Sequence, residues 1–174
     1  MTTKRNTRDT PNRLRHGQAL ALQYAAQILI NVNREPELVQ RVLSPAQLNA
    51  RNAVETTILG CNYAARIVSP FIVEVALKAL IAKHNNDQAE GTHHLCQLHD
   101  ALVPHLQDEL NRDFENVKSS QVPKERRSLR EVLVDHDNDF PDWRYLDDTE
   151  RLLADPIDTL QYVACSVLNV YNSS

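Results

Sequence analysis

Glycine is scarce in this chain, with three residues in 174 (Gly17, Gly60 and Gly91). Tight hairpins and phosphate-cradling loops draw on the positive φ angles that glycine adopts at little cost. The scarcity therefore argues against a hairpin-rich sheet and against a glycine-rich nucleotide loop. Long apolar runs are lacking as well. The longest stretch without a charged residue, Gly17 to Asn33, carries Gln18, Gln23, Gln27, Asn31 and Asn33. A bilayer would penalise those amides, so no membrane association is expected. The basic N-terminus has no apolar segment behind it, and a secretory signal is not expected either. Cysteine is limited to Cys61, Cys96 and Cys165, odd in number and widely spaced. Such usage suits reduced thiols in a cytoplasmic protein rather than a disulfide framework. No P-loop, dinucleotide fingerprint or nucleophile elbow occurs.

What is present is a soluble-type composition, 42% hydrophobic and 24% charged, in a length that suits one domain with a real core. The net charge of −4 is unevenly spread. Residues 4 to 15 hold Lys4, Arg5, Arg8, Arg13 and Arg15 against Asp9, and residues 124 to 130 hold Lys124, Arg126, Arg127 and Arg130 against Glu125. Residues 135 to 158 are strongly acidic. A polyanion would have to meet a local basic face, for which Arg126 and Arg127 are the candidates.

Helical periodicity dominates. Residues 1–10 read as a disordered basic arm and 11–174 as a single helical domain. From about Pro11 to Val32, Leu14, Ala21, Tyr24, Ala25, Ile28 and Leu29 predict one apolar helix face. Ser44-Pro45 and Ser69-Pro70 each read as a capping hydroxyl followed by proline at the first helical position, and so as two helix starts. The first would carry Leu48, Val54, Ile58, Cys61, Ala65 and Val68. The second, Phe71 to about His84, is apolar nearly all round and should run through the middle of a bundle. Leu95 to Leu110 continues the period, with a kink or two abutting helices at Pro104. Ser119 to Pro123 reads as a loop. A helix with Leu129, Val132 and Leu133 follows and stops at Asp135 to Pro141, and a last one begins at Asp155-Pro156. The expected fold is all-α, a bundle of four to five main helices plus short ones.

Three segments in order, SPFIVEVALKALIAKH (69–84), GTHHLCQLHDAL (91–102) and the stretch from Leu129 to Asp148 containing DFPDWRYLDD, resemble the HEPN family of helical-bundle domains. The likeness spans about 69–148. It implies an HEPN-like bundle, a homodimer, and a role in RNA-linked or defence-type systems, with RNA, a nucleotide or an antitoxin-like protein as partner. Some members are metal-independent endoribonucleases built on an arginine and a histidine. Others are non-catalytic modules. The resemblance marks His93 as the residue that orders the loop after Gly91, and brings Trp143, Arg144 and Tyr145 into the same polar network.

Only Arg130 and His136 meet the arginine–histidine spacing. Metal-free RNA cleavage needs a base for the 2′-OH and a cation for the phosphorane, which His136 and Arg130 could supply. On an unbroken helix their side chains stand about 120° apart. They converge only if Asp135 or His136 leaves the helix, or if a dimer mate supplies one of them. Glu74 and Lys78 are spaced i, i+4 on an apolar helix. A buried Glu74 needs a cationic partner, and Arg144 is the candidate. His84, His93, His94, His99 and His105 crowd one region with Cys96 and Asp100, but no standard ligand pairing appears, so no metal or other cofactor is expected. Asp135 to Asp139 imitates an EF-hand opening, yet Phe140 and Leu146 stand where Gly and Glu are required. The leading expectation is a homodimeric interaction module, non-catalytic or weakly catalytic. The alternatives are an endoribonuclease using Arg130 and His136, and a purely structural scaffold.

Overall fold

The computed structural model describes residues 10–34, 53–85, 91–121, 126–137 and 158–174. These form six helices: α1 (Thr10–Arg34), α2 (Ala53–His84), α3 (Leu95–Asp100), α4 (Pro104–Gln121), α5 (Leu129–Asp135) and α6 (Asp158–Ser173). No strand occurs among the described residues, and the fold is an all-α bundle. None of these helices is long and apolar enough to cross a membrane.

The organising element is α2, whose 32 residues span about 48 Å. Its C-terminal half buries Ile72, Val73, Ala76, Leu77, Leu80 and Ile81, as the all-round apolar pattern predicts. Leu95 and Leu98 of α3, Leu106, Leu110 and Phe114 of α4, Leu129, Val132 and Leu133 of α5, and Leu160, Val163, Ala164 and Val167 of α6 close on it in one continuous core. Helix α1 lies along α2, while α6 packs on both α2 and α4.

Two expectations about the first helices need correction. Ser69-Pro70 does not start a helix, because α2 runs straight through Pro70. Proline has no N–H for the Arg66 carbonyl one turn back, and the adjoining turn is tied down through Ser69. The Ser69 hydroxyl donates to the Ala65 carbonyl (2.7 Å) and accepts from the Gln161 side-chain amide of α6 (2.9 Å). Burial of the apolar stretches on both sides offsets what the proline costs. Ser44-Pro45 and Leu48 lie outside the described residues. The face of α1 is also reversed. Ala21, Tyr24, Ala25 and Ile28 face solvent, whereas Ala19 and Ala26 are fully buried and Leu20 and Leu22 pack on the core. Small side chains let the α1 backbone approach α2 closely, so the alanine stripe turns inward.

Elsewhere the punctuation holds. Pro104 opens α4 after the short α3, giving two abutting helices. The Gln107 side chain donates to the carbonyls of His99 (3.3 Å), Asp100 (3.3 Å) and Leu102 (2.8 Å), satisfying the end of α3 across the corner. Helix α4 runs to Gln121, through residues that read as loop. There the Ser119 and Ser120 hydroxyls fold back onto the carbonyls of Asn116 and Val117. Lys118 Nζ meets both Glu115 and the Arg127 carbonyl, which ties the chain entering α5 to α4.

Candidate functional site

The polar chemistry gathers where α2, the Thr92–His94 loop, α3 and α5 meet. Glu74 stands on the buried half of α2 with 2% of its surface exposed. Its Oε1 accepts from Lys78 Nζ, one turn on, at 2.8 Å. The same oxygen lies 2.9 Å from His93 Nδ1, so that nitrogen carries the proton and donates. The carboxylate thus joins the helix to the loop that follows it. Its second oxygen, Oε2, is buried and makes no hydrogen bond among the described residues. The partners within the described residues are the Lys78 ammonium and the His93 ring; Trp143, Arg144 and Tyr145, with the expected Glu74–Arg144 pair, lie outside the described residues.

The loop then turns into α3. The Thr92 hydroxyl accepts from the His94 backbone N–H (3.1 Å) and donates to Gln97 Oε1 (2.7 Å). Asp137, just beyond α5, takes the Cys96 N–H in the first turn of α3 (2.7 Å) and sits 3.3 Å from His94 Nδ1. A carboxylate there satisfies a donor that the helix leaves open. Burial and the Asp137 charge push the Cys96 thiol up to about 11, which favours the protonated thiol at neutral pH. Among the described residues no group of three or more His, Cys, Asp or Glu is placed to hold a metal ion.

Arg130 and His136 are held by different neighbours. The Arg130 guanidinium grips Asp100 with two parallel bonds of 2.6 and 3.0 Å, and Nη1 also reaches the Cys96 carbonyl at 3.4 Å. Desolvation works against the Asp100 carboxylate, but the bonds from Arg130 and His99 outweigh it and hold its pKa below the usual range. His136 is the C-cap of α5, outside the regular helix as convergence with Arg130 would require, but its ring is buried with 4% exposure. Arg126 is exposed, and Arg127 pairs with Asp135 at 3.0 Å.

Three residues matter more here than the sequence reading assigns. Asp100 and Asp137 hold α3 and α5 together, and no local signal marks carboxylates that act across 30 and 41 positions. Glu131 closes a capping box with Ser128, its carboxylate taking the Ser128 N–H at 2.7 Å. That one is legible as Ser-x-x-Glu at 128–131, a signal the Arg130–His136 spacing argument passes over.

Protein-family models, curated protein sequences and solved structures give no match to this chain.

Proposed function

We propose that this chain is an HEPN-like interaction module that binds RNA in an RNA-linked or defence-type system and does not cleave it. The observation that carries this reading is the state of the two candidate catalytic groups. Arg130 is neutralised by Asp100, and the His136 ring lies in the core. Cleavage needs both groups turned toward one phosphodiester. The Glu74–His93 bond joins the segments 69–84 and 91–102 through one residue of each.

In this reading Glu74, Lys78 and His93 fix the loop and α3. Arg126 and Arg127, at the entry to α5, supply the basic strip on which a phosphate backbone would lie. By resemblance, Trp143, Arg144 and Tyr145 would belong to the same set of binding residues. A homodimer and a cytoplasmic location complete the proposal. A purely structural scaffold for a protein such as an antitoxin is the competing outcome of the test below.

The test is equilibrium binding of a fluorescent RNA to the full chain at low and high salt. Affinity should fall steeply as salt rises, and Arg126→Ala or Arg127→Ala should weaken binding and flatten that slope. Binding that ignores salt, or none, would overturn the RNA reading in favour of a protein partner.

A further inference from the structure

The large apolar side chains that stand exposed among the described residues are Tyr24 (70%), Ile28 (64%) and Val134 (56%). Two of the three share one stripe of α1 with exposed Ala21 and Ala25 and, a turn earlier, exposed Gln18. The opposite side of the same helix is anchored on the core through Ala19 and Ala26. No Lys, Arg, Asp or Glu occurs between Arg15 and Arg34. By contrast, the outer side of α4 carries exposed Asp108, Arg112 and Glu115, the ordinary dress of a solvated helix. A charge-free apolar stripe rimmed by amides has the composition of an interface centre.

We propose that this stripe is the contact between two copies of the chain, with α1 lying antiparallel on α1 of a second molecule across a twofold axis. The register argues for that occupant. With the axis passing between Tyr24 and Ala25, Tyr24 opposes Ala25 of the partner subunit and Ile28 opposes Ala21 of the partner subunit. Each large side chain then meets a small one, and Gln18 opposes Asn31 of the partner subunit, amide against amide. The stripe is its own complement in shape, which an isologous contact requires and a foreign partner does not. Charge points the same way. A surface that pairs with itself near an axis sets each charge against its like, and this stripe has none to set.

This inference deepens the homodimer reading by naming its surface, and stands apart from the RNA reading because α1 is remote in sequence from Arg126 to Arg130. Sedimentation velocity on the full chain at micromolar concentration should show a dimer. The double substitution Tyr24→Glu with Ile28→Glu should yield a monomer with an unchanged helical circular-dichroism spectrum. Ala25→Cys should form a covalent dimer under mild oxidation several-fold faster than the unsubstituted chain, whose Cys61, Cys96 and Cys165 serve as the control. A monomeric unsubstituted chain would overturn the proposal outright. A dimer that survives the double substitution, or fails to cross-link through Ala25→Cys, would overturn the surface while leaving dimerisation intact. If the double variant does not fold, the cross-linking result alone decides.

Discussion

Glu74 is the most demanding side chain among the described residues, a carboxylate placed among leucines and valines with one oxygen doubly engaged and the other unpartnered by any described residue. Removing it strands the Lys78 ammonium, which keeps partial access to water, and leaves His93 Nδ1 without its acceptor. Glu74→Ala should therefore cost about 1–3 kcal/mol in urea unfolding. An unchanged midpoint would mean the network holds nothing. His99 makes a second claim. Burial lowers its pKa below 6.5 even though Asp100 pulls the other way, and its Nε2 is buried without a partner among the described residues. The unfolded chain then binds the proton more readily than the folded one. Stability from this residue is complete above pH 6.5 and lost as pH falls toward the lowered folded value. Urea midpoints measured from pH 7.5 down to pH 5 should decline, and His99→Asn should flatten the decline; an equal slope in that variant would contradict the assignment. The burial of Glu74 was readable from the apolar helix around it. Its partners were only half readable, because Lys78 follows from the i, i+4 spacing whereas His93 arrives by a loop whose path no local pattern encodes.

Helix α5 is seven residues long, well below the length at which a helix persists alone in water. It exists because the Ser128–Glu131 capping box closes its start and Leu129, Val132 and Leu133 bury one face. Ser128→Ala should cost about 1 kcal/mol and speed amide hydrogen exchange within α5. Exchange unaffected in that helix would show that packing alone fixes it. At this level the sequence was most informative about ends. Asn85, Pro104 and the Asp135 region mark boundaries that the fold respects. It misled where two signals were locally indistinguishable. Ser69-Pro70 looks the same at a helix start and inside a helix whose neighbour donates a Gln161 amide. Helix α1 offers two stripes of helical period, and only the close approach to α2 selects the alanine one over Tyr24 and Ile28.

One core unites all six helices. The net charge of −4 gives no long-range attraction for a polyanion, so the proposed RNA binding would rest on the local strip at Arg126 and Arg127. That strip is legible in the sequence. The pairing of Arg130 with Asp100 is not, and the proposed absence of cleavage rests on it. The most direct test is to incubate the purified full chain with single-stranded and hairpin RNAs in EDTA and resolve the products on a denaturing gel. The account predicts intact RNA throughout, with no change on His136→Ala. RNA cut by the unsubstituted chain and spared by a folded His136→Ala variant would contradict it.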